Sequence, residues 1–346
     1  MELQQSANIL IVRTDRMGDV ILTLPTAMAL AQCRPEIRVS MLVRDYTRPL
    51  VDDQPSVAAS LVYDAAGRNK PFGEMLAELR RHRFDAAVVA YPRFRIALLL
   101  RMAGIPVRIG TAYRWYSWLF NRRVRVHRKG AEQSEASYNL SLLAPLGCAP
   151  ADIPLPRIVT GTNDAQEAER IRARLGISPD ARLVVLHPGS GGSARSWSPA
   201  NFARLGQVLA ARGYAVVATG SGHEKDLVEA VCAASRGTVH PQAGGMSLRQ
   251  FAAFLRTAKV CVANSTGPLH LAAAVGAAVV GLYPPVRVMS PARWGPLTDR
   301  KILLVPDPVR CPRCKGGECQ GADCMDQITP DEVADAVDRL DSRDPG

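Results

Sequence analysis

NILIVRTDRMGDVILTLP, residues 8–25, begins with a short run, Asn8–Val12, that is apolar on both faces, and follows it with a turn holding two arginines, two aspartates and a glycine. A strand buried on both faces is what a parallel sheet covered by helices requires. The charged turn then stands at the carboxyl end of a strand, where open α/β sheets bind ligands.

Runs of the same kind recur at Arg38–Val43, Ala86–Ala90, Leu183–Leu186, Ala215–Ala218, Val260–Ala263 and Ala277–Leu282, alternating with helix-like stretches. The fold class is α/β. Between the halves, CAPADIPLPRIVTGTND (148–164) gathers proline, glycine and small polar residues and has neither periodicity, as a linker does. We expect an N-terminal domain over 1–160, a second over 161–328, and a closing helix with a polar tail over 329–346. Ser198-Pro199 reads as a helix start that Gly213 stops, and Thr329-Pro330-Asp331-Glu332 as a capping box. Two βαβ domains in tandem place a cleft between the carboxyl ends of two sheets.

The 346 residues and 47% hydrophobic content suit two globular domains, and a net charge of +11 calls for an anionic partner. The start, MELQQSANIL, has no basic segment leading into an apolar stretch, so no secretory signal is expected. The longest uncharged apolar run, Leu271–Tyr283, falls short of the roughly 20 residues that span a bilayer. Cys33, Cys148, Cys232 and Cys261 are scattered singly and read as small core hydrophobes in a reducing compartment.

Several loops follow strands and carry the residues chemistry needs. In VANSTGPLHLAAAVG (262–276), proline suits a first helical turn and Gly276 its stop. Ser265, Thr266 and Gly267 then lie at a helix N-terminus, where free amides favour phosphate, with His270 one turn inside. A well-capped structural helix explains the same pattern. HPGSGGSARSWSP (187–199) offers glycines and Ser190 to wrap an anion and Arg195 to contact it, and Trp197 argues against a free surface turn. Glu224, in TGSGHEKD (219–226), is placed to accept from a ribose or simply to start a helix. Gly189–Ala194 fits G-x-G-x-x-A, but no acid follows about 20 residues on, so a dinucleotide site is a poor reading, and no P-loop pattern exists. In the opening turn, Asp19 is placed to take a proton from an acceptor hydroxyl, and Asp15 reads as an N-cap or an ion pair.

ILIVRTDRMGDVILTLP, HPGSGGSARSWSPANFARL and ANSTGPLHLAAAVGAAVVGLYPP, in that order and spacing, resemble the heptosyltransferases of glycosyltransferase family 9, over about residues 8–338. The resemblance implies a GT-B fold, two Rossmann-like domains facing across a cleft, with the acceptor on the first and a nucleotide-sugar, typically ADP-L-glycero-D-manno-heptose, on the second. Transfer would invert the anomeric centre and need no cofactor or metal. The M-G-D motif puts a general base at Asp19, with Gly18 beside it in the donor-binding set. Arg195 takes the place of a usual lysine on donor phosphate. Thr266, Gly267, Pro268 and His270 match the diphosphate-binding segment, and Met246 a position near the adenine. Ser265 stands where many members have aspartate, so one donor contact is missing. Arg13 and Arg16 suit acidic groups on the acceptor, or ion pairs with Asp15.

Residues 108–129 hold seven Arg or Lys, no Asp or Glu, and Trp115, Tyr116, Trp118 and Phe120. The segment suits an anionic lipid surface or a phosphorylated glycolipid, with Arg114 and Arg122 on the acceptor; nucleic acid is the poorer partner, and core aromatics beside solvated arginines the plain alternative. Under the family reading the acceptor is the lipopolysaccharide inner core, met at the cytoplasmic face of the inner membrane. Cys311, Cys314, Cys319 and Cys324 supply four thiols for a structural zinc or iron, or remain reduced or paired. Two rival readings are a family 9 enzyme with another nucleotide-sugar and a catalytically idle GT-B protein that binds a glycolipid.

Overall fold

The computed structural model describes residues 6–192, 195–307 and 324–342. The chain divides into two compact units, Met1–Val159 and Thr160–Gly346.

The first unit is built on six parallel strands: β1 (Asn8–Val12), β2 (Arg38–Val43), β3 (Ala59–Val62), β4 (Ala86–Val89), β5 (Val107–Thr111) and β6 (Arg122–Val124). Their order across the sheet is β3-β2-β1-β4-β5-β6. Central strands β1, after Asn8, and β4 are apolar and buried because helices cover both faces. The helices are α1 (Met17–Ile21), α2 (Leu24–Cys33), α3 (Phe72–His82), α4 (Phe94–Met102) and α5 (Glu135–Leu140). A two-residue hairpin pairs Asp64–Ala65 with Arg68–Asn69. The basic stretch from 108 is therefore part of the sheet: β5 carries its first residues and β6 is an edge strand with Arg122 and Arg123 exposed. At Gly110 a side chain would drive its Cβ to 2.6 Å from the Phe120 ring, so glycine lets the ring pack flat on β5.

The second unit repeats the plan with β7 (Leu183–His187), β8 (Ala215–Gly220), β9 (His240–Ala243), β10 (Val260–Asn264), β11 (Ala278–Leu282) and β12 (Lys301–Leu304), in the order β9-β8-β7-β10-β11-β12, all parallel. Its helices are α6 (Thr162–Arg174), α7 (Pro199–Ala211), α8 (Lys225–Ala234), α9 (Leu248–Arg256), α10 (Gly267–Ala274), the short α11 (Pro291–Trp294) and α12 (Pro330–Asp341). Helix α7 starts as its sequence requires: the Ser198 hydroxyl accepts from Asn201 N–H at 3.3 Å, Pro199 fills the first turn, and Gly213, at φ +82°, ends it. The Thr329/Glu332 capping box opens α12, which packs on the same core as α7 and β11. Trp197, buried at 1% exposure, anchors this end by donating its indole N–H to Ile328 O at 2.9 Å.

In each unit the strand order reverses direction between its first and fourth strands, β1/β4 and β7/β10. That reversal opens a crevice at the carboxyl edge of the sheet.

Two cysteine expectations are corrected. Cys33, exposed at the end of α2, and Cys148, buried after the turn at Ser141–Leu146, form a disulfide across 115 residues of sequence, with Cα atoms 6.2 Å apart. Positions so distant give no sign of pairing in the sequence; the fold packs α2 against α5 and so brings the end of α2 to the chain that follows the Ser141–Leu146 turn. Cys232 and Cys261 carry free thiols, and burial pushes the Cys261 thiol up to about 12.

Candidate active site

In the first unit the turn after β1 is organised by Arg13, which is 2% exposed. Its Nε donates to Asp15 Oδ1 at 2.7 Å, its Nη1 to Glu135 Oε1 at 3.0 Å and Asn139 Oδ1 at 3.3 Å, and its Nη2 to Asp19 Oδ1. Burial works to lower the Arg13 pKa, but the charges of Asp15, Asp19 and Glu135 outweigh it and raise it further. Arg13 is thus not a free group for an acceptor, as expected above, but the hub that holds the turn's carboxylates. The Asp15 ion pair is present, though buried rather than on the surface. Burial, with the neighbouring Asp19 charge, pushes the Asp15 carboxyl up to about 7 against the pull of Arg13.

Helix α5 supplies the back of this cluster. Glu135 and Asn139 are 1% and 0% exposed and one helical turn apart, so both face the hub. Asn139 Nδ2 donates to Leu22 O at 3.2 Å and Thr23 Oγ1 at 3.1 Å, and Thr23 Oγ1 donates to Asp19 O at 2.7 Å. Arg128 adds a second cation 3.6 Å from Glu135 and donates to Asn139 Oδ1 at 2.9 Å. Asp19 itself lies in the first turn of α1 with its side chain 16% exposed, and Gly18 is buried beside it. Arg16, the residue before α1, is exposed, as are Arg114 and Arg122. Among the described residues no contact joins Arg114 or Arg122 to the cluster. Glu135, Asn139 and Arg128 escaped sequence reasoning because more than 100 residues separate them from Arg13 and no motif links them.

In the second unit the expected donor residues gather on the loops at the carboxyl edge of the sheet: Ser190 and Arg195 after β7, Glu224 after β8, Met246 after β9, and Ser265 to His270 after β10. Gly18, grouped with them above, belongs to the first unit. The loops after β7 and β10 are tied by Asn264, fully buried, whose Oδ1 accepts from Trp197 N–H at 2.9 Å and whose Nδ2 donates to Pro188 O at 2.9 Å. Ser196 donates to Ser190 across the loop at 2.9 Å. Arg195 is half-buried with its guanidinium 4.0 Å from Cys324 Sγ.

The Glu224 carboxylate accepts from Ser221 N–H and O–H, both at 2.9 Å, so it starts a helix as the plainer reading had it. It also lies 3.9 Å from His187, and it is held below the usual carboxylate range: burial opposes this, but the Ser221 and Gly191 N–H groups outweigh it. A side chain at Gly189 would bring its Cβ to 2.0 Å from Glu224 Oε1, which explains the glycine without a dinucleotide. The fingerprint reading fails on position too, since α7 begins at Pro199, beyond the glycine run. Gly244, at φ +67°, lets the loop after β9 approach Gly222, where a Cβ would meet its Cα at 3.3 Å.

At α10 the Thr266 hydroxyl turns back to Asn264 O at 3.1 Å and does not cap the helix; Pro268 has no N–H and the Leu269 N–H donates to Thr266 O at 3.2 Å, so in the first turn the Gly267 N–H is the one left without a cap among the described residues. After β10 the Ser265 N–H donates to Leu282 O at 3.0 Å, and the buried Tyr283 hydroxyl donates to Trp294 O at 2.7 Å. His270 is 4% exposed, burial holds its imidazole down at about 4, and its Nδ1 finds no partner among the described residues. Cys324 is buried at 1% exposure, while Cys311, Cys314 and Cys319 lie outside the described residues. Among the described residues no group of three His, Cys, Asp or Glu is arranged to hold a metal, and no helix is long and apolar enough to cross a membrane.

Comparison with known proteins agrees with this geometry. The model of glycosyltransferase family 9 (heptosyltransferase) matches residues 73–322. A Haemophilus influenzae protein provisionally named a glycosyltransferase is 29% identical over 298 residues, covering 84% of this chain and 86% of its own. Lipopolysaccharide heptosyltransferase 2 of Escherichia coli is 26% identical over 346 residues, covering 96% and 98%. Among solved structures, a family 9 glycosyl transferase from Veillonella parvula superposes with a TM-score of 0.86 at 21% identity over 99% of both chains, and E. coli ADP-heptose heptosyltransferase II with 0.80 at 22% identity over 98% and 100%. At these identities the likeness is one of fold, and it is the GT-B-like fold of the family. The family match over most of the chain makes this protein an enzyme, a glycosyltransferase of family 9.

Proposed function

We propose that the enzyme transfers a heptose from ADP-L-glycero-D-manno-heptose to a lipopolysaccharide inner-core acceptor, with inversion and with Asp19 as general base. The observation that carries the donor half is the edge of the second sheet, where α10 starts without a side-chain cap at Gly267 and the buried His270 Nδ1 lacks a partner among the described residues. A diphosphate bound there accepts from the Gly267 N–H and from Arg195, and Glu224 and Met246 border the nucleoside. Support comes also from relatives named lipopolysaccharide heptosyltransferases and from the E. coli heptosyltransferase WaaC, solved with ADP.

In the reaction, the acceptor hydroxyl oxygen attacks the anomeric carbon as the bond from that carbon to the β-phosphate oxygen breaks. Asp19 takes the hydroxyl proton, and Arg195 with the Gly267 N–H stabilises the charge that develops on the departing ADP. Arg13 orients Asp19, and Asn139 and Thr23 fix the turn behind it. No metal takes part. The acceptor is a membrane-borne anionic glycolipid, and the site of action is the cytoplasmic face of the inner membrane. One observation favours a second reading: Ser265 stands where many members of the family carry aspartate, so that position brings no carboxylate to the donor, which points to another sugar on the nucleotide.

The test is calorimetric titration with ADP, UDP and GDP without divalent metal, beside a transfer assay on core acceptors. Asp19→Ala is expected to slow transfer by about 10²–10⁴-fold with ADP affinity within about twofold of the parent. Arg195→Ala is expected to weaken ADP about tenfold or more, as loss of a charge-assisted contact does. Loss of ADP binding in Asp19→Ala contradicts the base assignment, and preference for UDP or GDP moves the donor to another nucleotide-sugar.

A further inference from the structure

The net charge of this protein is confined to one stretch. Residues 86–131 contain ten Lys or Arg and no Asp or Glu, whereas the remaining 300 residues carry 33 Lys or Arg against 32 Asp or Glu. In the fold that stretch is β4, α4, β5, the turns at 112–121 and edge strand β6. Some of its cations are used internally: Arg108 donates to Ile105 O and Leu119 O, and Arg128 lies beside Glu135. Arg93, Arg101, Arg114, Arg122, Arg123 and Arg125 are exposed, and none pairs with a carboxylate among the described residues.

Large apolar side chains share this surface. Trp115 is 75% and Trp118 66% exposed, beside Phe94 at 41% and Met102 at 45%. The Ser117, Leu119 and Phe120 N–H groups donate to Arg114, Tyr116 and Ser117, so 114–120 is wound with about three residues per turn. Positions 115 and 118 therefore fall on one side, while Tyr116, Leu119 and Phe120 enter the core. Phe94 stacks on Trp115 with centroids 5.0 Å apart, and on α4 Arg101 follows Phe94 by two turns, on the same outer face. Tyr113, two residues before Trp115, lines a cavity of about 610 Å³ with Arg123, Arg125 and His127.

We propose that this face of the first unit is a docking surface for an anionic phospholipid bilayer, with Trp115 and Trp118 entering the headgroup region, the arginines beside phosphates, and the cavity receiving a headgroup. Indole rings with an apolar body and an N–H prefer that boundary, and juxtamembrane cations supply the attraction. A second copy of the chain fits poorly, because a two-fold contact would set these arginines against themselves. Nucleic acid also fits poorly, because stacking on bases needs open ring faces and Phe94 already covers one face of Trp115. The purpose of the surface rests on the membrane-borne acceptor proposed above, but its evidence does not.

The experiment is co-sedimentation of the full chain with vesicles of phosphatidylglycerol and phosphatidylcholine in equal parts, and of phosphatidylcholine alone, with no acceptor present. The expected result is binding to the anionic vesicles only, weakened by salt, with a blue shift of tryptophan emission. Trp115→Ala with Trp118→Ala is expected to lose at least tenfold in partitioning while its ADP titration stays at the parent value, which separates this proposal from the transfer reading. Arg122→Gln with Arg123→Gln is expected to lose about fivefold per charge and serves as the test if the tryptophan variant does not fold. Equal binding to both vesicles, parent-like binding by the variants, or tighter binding to a single-stranded RNA than to the anionic vesicles overturns it.

Discussion

Arg13 shows how one buried cation fixes the carboxylate proposed as the base. Three carboxylates around a single guanidinium would be costly to bury, and Arg128, 3.6 Å from Glu135, supplies a second cation, while Asn139 Oδ1 accepts from both guanidinium groups. Removing Glu135 takes from buried Arg13 its most deeply buried carboxylate partner and leaves a void at the 1%-exposed position on α5. Glu135→Ala is therefore expected to destabilise the first unit by about 3 kcal/mol, the cost of breaking a buried pair, and to lower kcat while ADP affinity stays unchanged. Denaturant unfolding followed at the first unit, with steady-state kinetics alongside, measures both. An unchanged unfolding midpoint sinks the account of the hub. Asp19 was legible in the sequence because it lies in a motif next to a strand; its supports were not, because they depend on where α5 lands.

Among the elements, the ones readable in advance were those buried on both faces. β1, β4, β7, β10 and β11 each hold an apolar run of four or five residues with at most one polar residue at an end, so their runs stand out without an alignment. β6 and β9 carry Arg-Arg and His-Pro-Gln because each borders the open edge of its sheet, where one side needs no partner, and an apolar-run rule passes over them. The donor loops were found by their glycines, prolines and caps, but the link between them was not, because Asn264 reads as the last residue of a strand. Both its hydrogen bonds join buried backbone groups of the β7 loop. Asn264→Ala leaves Trp197 N–H and Pro188 O unpaired at a cost of about 1–3 kcal/mol each, and loosens the loop that carries Arg195. The expected outcome is a lower melting temperature of the second unit together with weaker ADP binding. Stability loss with ADP affinity at the parent value would detach the loop from the donor site.

At the scale of the whole chain, two units with separate cores carry different chemical sensitivities. The disulfide between Cys33 and Cys148 lies wholly in the first unit and closes a loop of 115 residues, a restraint on the unfolded chain worth about 3–5 kcal/mol. Buried His187 and His270 lie wholly in the second, and burial lowers each from 6.5 to about 4. A histidine whose folded pKa is depressed binds fewer protons folded than unfolded between those values. Stability from these two residues is present above pH 6.5 and is lost as pH falls toward 4, on the order of 3 kcal/mol each. Calorimetric melting is thus expected to show a transition that reductant moves down, and another that falls as pH drops from 6.5 toward 4 while reductant leaves it in place. Cys33→Ser with Cys148→Ser is expected to abolish the first response, and His187→Gln with His270→Gln to blunt the second. One transition that answers to both agents in the parent chain would show that the two cores unfold together, and the assignment of each sensitivity to its own unit would fall.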